Sequence, residues 1–292
     1  MTMTRTVLRY HGGKFRLSPK LIAIFPPHRI YTEVFGGGAS VLMQKPRCYS
    51  ELYNDLDREV VNVFRVLQNR VKARHLEEIL RVTPFSREEF DLSYRPGATD
   101  VERARRTIIR SFMGFGSDSI FRLKATRAGF NTRISSTMST AATDWKSYPN
   151  YIATFVDRLQ GVAIENRNAL EILPKVDRAD ALHYVDPPYP MSTRRIANGS
   201  TPEHRYRWEM NDDDHRALAR VLKDLVGMVI ISSYPSEFYD ELFAGWKKMS
   251  WTAGNLCSAN SNAQTRTEVV WMNTQAWKHA PLRLFDAQDL VV

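Results

Sequence analysis

The chain has 292 residues, 43% of them hydrophobic and 25% charged, which is typical of one large globular domain or of a domain with a substantial insertion. Its net charge of +9 favours a polyanionic partner such as nucleic acid. No apolar run is long enough to span a membrane and no signal-peptide pattern opens the chain, so we expect a cytoplasmic protein without a membrane partner.

Strands and helices alternate at both ends of the sequence. In the first part, "RIYTEVF" and "CYSELYND" predict strands, "GGGASVLMQ" a glycine turn that opens into a helix, and "REVVNVFRVLQNRV" a helix. In the last part, "GVAIEN", "ALHYVD", "MVIISSY" and "TEVVWMN" predict strands between helices such as "YIATFVDRLQ", "NALEILPK", "DDDHRALARVLKDLVG" and "SEFYDELFAGW". This order predicts an α/β sheet that is interrupted by an inserted module.

The interruption is the most basic part of the chain. It is helical at "VERARRTIIRSF" and then rich in glycine, serine, threonine and arginine. Between residues 103 and 133, eight basic residues face the single acidic residue Asp118. We therefore expect a DNA-contacting module, although a solvated surface loop is the alternative. The residues predicted to bind DNA are Arg105, Arg106, Arg110, Arg122, Lys124, Arg127 and Arg133.

A glycine turn follows the first strand. Gly36, Gly37 and Gly38 permit a tight turn and a close approach of a ligand to the backbone. Asp55 closes the next strand 19 residues after Gly36, where a carboxylate can accept the two hydroxyls of a ribose. The order F-G-G-G is not the dinucleotide fingerprint G-x-G-x-x-G, so the pattern favours a cofactor with adenosine and without pyrophosphate.

A stiff corner, "DPPY", follows the apolar strand "ALHYV". The two prolines stop the strand and restrict the backbone, so the corner presents the Asp186 carboxylate, the Pro187 carbonyl and the Tyr189 ring. The two acceptors can hold both N–H bonds of an exocyclic amine and direct its lone pair at an electrophile. The ring can stack on a base that has left the duplex. The predicted catalytic residues are Asp186, Pro187, Pro188 and Tyr189.

These motifs together resemble the Dam-type N6-adenine DNA methyltransferases. "RYHGGK", "EVFGGGAS", "LYNDLD", "AGFNTRI", "VDPPYP", "SYPSEFYDELF" and "RTEVVWMN" follow the order of that family through nearly the whole chain. The resemblance implies a Rossmann-like methyltransferase fold in two segments, residues 1–58 and 146–292, around a target-recognition insertion, residues 59–145. It also implies S-adenosylmethionine as the methyl donor and a flipped adenine in double-stranded DNA as the substrate.

By position, the resemblance also implies the residues that contact the cofactor. Those residues are Tyr10, Lys14, Phe35, Gly36, Gly38, Asp55, Asn168 and Asp186. Asn168 departs from the family, whose members often have an aspartate there, and its amide oxygen can still accept an N–H. The basic region lacks the asparagine expected for reading GATC, so the target sequence does not transfer.

Alternatives remain at this level. N4-cytosine methylation uses the same amine chemistry, an RNA or protein-amide substrate fits the basic insertion less well, and a catalytically silent base-flipping DNA-binding protein would be of another class. No zinc-ligand spacing occurs among seven histidines and two cysteines, so we expect no metal and free thiols at Cys48 and Cys257. We attribute "DDDH", residues 212–215, to helix capping and the helix dipole.

Overall fold

The computed structural model describes residues 3–116, 119–121, 128–135, 139–194, 206–253 and 266–281, with backbone alone at residues 252, 253 and 266. A seven-stranded sheet organises the chain, in the order β3-β2-β1-β4-β5-β7-β6. Neighbouring strands from β3 to β5 are parallel, and β7 is antiparallel to both β5 and β6. The strands are β1 Ile30–Glu33, β2 Ser50–Asn54, β3 Val162–Glu165, β4 Ala181–Val185, β5 Met228–Ser233, β6 Lys247–Ala253 and β7 Arg266–Met272.

Helices cover both faces of this sheet. One buried cluster joins α3, α6 and α8 to one face, and a second joins α9, α10 and α11 to the other. The helices are α1 Ser18–Ala23, α2 Ser40–Gln44, α3 Arg58–Gln68, α4 Arg70–Val82, α5 Arg87–Leu92, α6 Asp100–Met113, α7 Ala141–Ser147, α8 Ile152–Leu159, α9 Ala169–Val176, α10 Asp212–Asp224, α11 Glu237–Leu242 and α12 Thr274–His279. Short 3-10 helices lie at Tyr148–Tyr151 and Met191–Thr193. The predicted Rossmann-like α/β fold is thereby confirmed.

The strand order reverses between β1 and β4. From β1 the chain proceeds outward to β2 and β3, and from β4 it proceeds to β5 on the other side. In parallel sheets a ligand crevice forms at such a reversal, beyond the carboxyl ends of the strands. All five residues of β4 are buried, as expected of a central strand covered on both faces. The crevice therefore lies where the glycine turn leaves β1 and the proline corner leaves β4.

Most of the predicted elements are confirmed, with differences that have local causes. The helix expected at "REVVNVFRVLQNRV" is divided at Asn69, whose side chain accepts a hydrogen bond from Lys72 N and caps a new helix, α4. The acidic start of α10 is a capping box between Asn211 and Asp214, as the capping interpretation predicts. The sequence patterns did not predict strand β6, because its first two residues are both lysines and do not alternate between apolar and polar.

The predicted insertion, residues 59–145, is packed on the sheet through its helices. Val60 and Phe64 of α3, Leu76 of α4 and Ile108 of α6 belong to the same buried cluster as Tyr53 of β2. Among the described residues, no break in the core therefore marks the predicted boundary at residue 58. The role of residues 59–145 in target recognition stays a prediction.

No helix in the described parts of the chain combines the length and the apolar character needed to cross a bilayer.

Candidate cofactor and amine site

An open cavity of about 210 Å³ lies at the strand reversal. Its walls include the N-terminal stretch around Tyr10 and Lys14, the glycine turn after β1, and the corner after β4. The cavity brings together every residue that the sequence predicts to contact a cofactor. Those residues are Tyr10, Lys14, Phe35, Gly36, Gly38, Asp55, Asn168 and Asp186.

The glycine turn is packed so closely that it has no room for side chains. A Cβ on Gly36 would lie 2.2 Å from Tyr53 Cε2, and a Cβ on Gly37 would lie 2.6 Å from Tyr10 Cε1. Gly37 also has φ +46, a backbone conformation that favours glycine. The Tyr53 hydroxyl donates to the Gly37 carbonyl at 2.8 Å. Two tyrosines therefore hold the turn, and its backbone forms the cavity floor.

Asp55 directly follows β2 and faces the same floor. Its carboxylate accepts hydrogen bonds from Gly37 N and Asp57 N, both at 2.8 Å. Burial raises the pKa of Asp55 to about 6, and these two hydrogen bonds limit the rise. A half-buried carboxylate that is held rigidly at a cavity wall suits the hydroxyl pair of a ribose, since it can accept two further hydrogen bonds.

Asp186 is fixed on two sides at the end of β4. Its Oδ2 forms an ion pair with Lys14 Nζ at 3.0 Å, and its Oδ1 accepts from Ser232 Oγ at 2.8 Å. Burial opposes the charge of Lys14, but Asp186 and then Glu268 outweigh it and raise the pKa of Lys14 above its ordinary value. The ammonium is thus always charged and pairs with the carboxylate that the sequence predicts to hold an amine.

The other corner residues lie beside the cavity. Pro188 lines it, whereas Pro187 and Tyr189 are not among its lining residues. Tyr189 is 8% exposed, and Lys14 Nζ lies 4.8 Å from its ring centre. The edge of its ring meets Tyr234 at a centroid distance of 4.6 Å. The Lys14 ammonium therefore touches both the carboxylate and the aromatic ring of the corner.

The lining of the cavity is acidic, although the chain as a whole is basic. Its two basic residues among those described are Lys14 and Arg207. Its acidic residues are Glu33, Asp55, Asp57, Asp186, Glu209 and Asp214. Burial raises the pKa of Glu33 to about 8, so that carboxyl is largely neutral at pH 7. Even so, the cavity suits a cationic ligand better than a pyrophosphate.

Sequence reasoning missed one wall, the segment of residues 206–210. The Tyr206 hydroxyl donates to the His11 carbonyl at 3.3 Å, and Arg207 Nη1 donates to Asp57 Oδ1 at 2.8 Å. Trp208 lines the cavity and is 56% exposed. The dense aromatic and charged character of "YRWE", shortly before the helix at "DDDHRALARVLKD", was the signal that could have found this wall.

Asn168 is a helix cap as well as a lining residue. It is the N-cap of α9, and its side-chain oxygen accepts from Leu170 N at 3.0 Å. The residue is exposed at the cavity rim. An aspartate at this position could make the same cap, so the departure from the family pattern keeps the local backbone and removes one negative charge.

Three arginines predicted to bind DNA, Arg105, Arg106 and Arg110, have partners inside the helical layer. Arg105 donates to Glu89 and Glu102, both at 2.7 Å, and Arg106 donates to Glu102 at 2.5 Å. Arg110 is 6% exposed, and burial lowers its pKa to about 10. Arg105 joins α6 to α5 through Glu89, whereas the bonds of Arg105 and Arg106 to Glu102, three and four residues earlier, lie along α6 itself.

The remaining basic residues of that prediction have a different status. Arg133 is exposed. Arg122, Lys124 and Arg127 lie outside the described residues, as do Cys257 and the rest of residues 254–265. Cys48 is a free thiol. In the described ranges, no group of three or more histidine, cysteine, aspartate or glutamate side chains is arranged to hold a metal ion.

The family model of the D12 class N6 adenine-specific DNA methyltransferases matches residues 10–254. Among solved structures, the chain is similar to a protein described as a putative rRNA-methylase from Clostridium thermocellum, at 8% identity and a TM-score of 0.35, over 93% of this chain and 100% of that one. No curated protein matches the sequence.

Proposed function

Since the chain belongs to the D12 class of N6 adenine-specific DNA methyltransferases, we propose that it transfers the methyl group of S-adenosylmethionine to an adenine flipped out of double-stranded DNA. The observation that carries the proposal is the meeting of the glycine turn, Asp55 and Asp186 in one acidic cavity. A cofactor that carries an adenosine and a cationic sulfur suits such a lining. A nicotinamide dinucleotide, with its pyrophosphate, does not.

Each part of the cofactor has a suitable group in the cavity. Asp55 receives the ribose hydroxyls, and the backbone of Gly36 to Gly38 lies under the cofactor without side chains to obstruct it. The aromatic rings of Tyr10 and Phe35 line the same space, where a ring face attracts a sulfonium. Asn168 borders the adenine end, and Lys14 bonds the methionine end. When bound, the cofactor supplies an electrophilic methyl group.

The corner after β4 prepares the nucleophile. The Asp186 carboxylate and the Pro187 carbonyl accept the two N–H bonds of the adenine amine, so that its lone pair turns toward the methyl group, while Pro188 keeps the corner rigid. The lone pair would take the methyl group from the sulfonium of the bound cofactor, whose C–S electron pair would stay on sulfur. The Asp186 carboxylate, which holds one of the N–H bonds, would accept the proton that the amine releases. The Lys14 ammonium forms an ion pair with Asp186 and lies over the Tyr189 ring, so it must move away from the ring before a base can stack on Tyr189.

We propose that fewer basic residues contact DNA than the charge count suggests. Phe115 N donates to the Gly129 carbonyl at 2.7 Å and Asn131 N donates to the Met113 carbonyl at 2.8 Å, so these hydrogen bonds join the end of α6 to the chain at Gly129 and Asn131. The exposed Arg133 lies two residues beyond Asn131. We assign the phosphate and base contacts to Arg133, Arg122, Lys124 and Arg127, because α6 uses its own arginines internally.

The reaction itself is tested by product analysis. Unmethylated plasmid DNA incubated with the protein and methyl-labelled S-adenosylmethionine should yield labelled N6-methyladenine after digestion to nucleosides. Structured RNA of equal length should remain unlabelled. Label in N4-methylcytosine or in RNA would overturn the proposed substrate, and long-read sequencing of the same plasmid would identify the target site.

The cofactor site is tested through the pKa of Asp55. Its ionised form accepts the ribose hydroxyls, so affinity is present above about pH 6 and should fall as Asp55 is protonated below that value, by up to about tenfold per pH unit. Isothermal titration of S-adenosylmethionine from pH 5 to pH 8 measures this change. Asp55→Asn should bind about 10–100-fold more weakly at pH 7 and lose the step near pH 6. The ionisable groups of S-adenosylmethionine contribute equally to the pH profiles of the wild-type protein and of Asp55→Asn. If the affinities of the two proteins changed with pH in the same way, the assignment of Asp55 to the ribose would be contradicted.

A further inference from the structure

Three contacts hold Tyr189, two to its side chain and one to its backbone. Its hydroxyl donates to Glu268 Oε2 at 2.7 Å. Its ring edge meets Tyr234, and its backbone carbonyl accepts two hydrogen bonds from the Arg194 guanidinium, at 3.0 Å and 2.8 Å. Arg194 in turn forms two hydrogen bonds with Glu209, at 2.8 Å and 2.7 Å. The backbone of Tyr189 is thus fixed by arginine, and the direction of its ring depends on the bond to Glu268.

The sheet topology explains why a residue so distant in sequence reaches the corner. Strand β7 runs antiparallel to β5, and Val269 is in register with Ser233 at the end of β5. The first residues of β7 therefore lie at the sheet edge where β4 and β5 end. Alternation puts the side chain of Glu268 on the same face as Val270 and Met272, which pack in the cluster that also holds Tyr184.

The contact between the Tyr189 hydroxyl and Glu268 is a charge-assisted hydrogen bond. Burial, together with the charges of Asp186 and Glu268, raises the pKa of Tyr189 well above its ordinary value, so the phenol keeps its proton. A protonated phenol donates, and a carboxylate accepts more strongly than a neutral group. Glu268 also stabilises the charge of Lys14, which lies over the other part of the same ring.

We propose that Glu268 is a positioning residue for methyl transfer, which sets the plane of the Tyr189 ring so that a flipped base stacks with its amine at Asp186. The inference rests on the proposed function, in which Tyr189 receives the base. A base arriving at the corner displaces the Lys14 ammonium from the ring, and the hydroxyl bond, together with the packing against Tyr234, then keeps the ring from turning about its side-chain torsions. Misorientation of the ring by a small angle moves the amine away from the line of attack.

A double-mutant cycle tests this role. Glu268→Gln keeps the size of the side chain and removes its charge, while Tyr189→Phe keeps the ring and removes the hydroxyl. We expect each to lower the single-turnover methylation rate on the plasmid about tenfold, and we expect the double variant to be no slower than the slower single variant. Both changes act on the same hydrogen bond, because glutamine still accepts from the phenol but lacks the charge that strengthens the bond. The Kd of S-adenosylmethionine should stay within about twofold. Glu165→Gln, at the end of β3, is the charge-matched control and should keep the full rate.

The outcomes separate this inference from the proposed function. A hundredfold loss in the double variant, or an unchanged rate in either single variant, would overturn the positioning role. A weaker Kd with an unchanged rate would do the same, since it would mean that Glu268 acts on Lys14 and the cofactor alone. If Glu268→Gln does not fold, Tyr189→Phe decides, because it leaves the carboxylate in place. Failure of the proposed function is recognised independently, by activity that persists in Asp186→Ala.

Discussion

Asp186→Ala is expected to lower the rate of methyl transfer at least about 10³-fold while leaving the Kd for plasmid DNA within about threefold. The carboxylate is one of the two acceptors that turn the lone pair of the amine toward the methyl group, and it is the nearest acceptor of the released proton. It is also rigidly held, by Lys14 at 3.0 Å and Ser232 at 2.8 Å, so its direction is set before the amine arrives. Single-turnover rates with labelled cofactor measure the loss, and filter binding measures the DNA affinity.

A matched control lies at the other end of the same strand. Asp180 immediately precedes β4 and is exposed, with its carboxylate 4.0 Å from Arg29. Asp180→Ala should keep the full rate, because exposed pairs of this kind contribute little to stability and the residue is remote from the cavity. Near-normal turnover in Asp186→Ala would refute the proposed mechanism, whereas equal losses in both variants would indicate that the strand, not the carboxylate, had been disturbed.

Gly36→Ala is expected to reduce the free energy of unfolding by about 3 kcal/mol and to abolish cofactor binding. The new Cβ would lie 2.2 Å from Tyr53 Cε2, and Tyr53 has no space to retreat, since it is fully buried and its ring centre lies 4.4 Å from that of Phe64. Any shift of Tyr53 moves the Gly37 carbonyl to which it donates and then the Asp55 carboxylate. Thermal unfolding and titration with S-adenosylmethionine measure the two effects.

Gly129→Ala is the corresponding control. A Cβ there would meet no atom within 4 Å, and the residue is exposed. The same substitution should therefore leave both the midpoint of unfolding and the cofactor affinity unchanged. If Gly36→Ala behaves like Gly129→Ala, the turn is looser than its contacts with Tyr10 and Tyr53 imply.

The arginines of the insertion show what a count of charges in the sequence cannot predict. A count of basic residues between 103 and 133 identifies an excess but not the direction in which each side chain points. On α6, Glu102 stands three and four residues before Arg105 and Arg106, and that spacing already indicates pairing along a helix. The second partner of Arg105, Glu89, comes from another helix and is visible only once α5 packs against α6.

The sequence by itself determined the alternation of strands and helices, the glycine turn and the proline corner, because these depend on local periodicity and on the backbone limits of glycine and proline. Only the tertiary structure decided that Glu268 reaches Tyr189, that Lys14 covers the same ring, and that residues 206–210 wall the cavity. Those contacts join residues that lie far apart in sequence. Their pairing follows from the strand order and the antiparallel direction of β7, which no local pattern encodes.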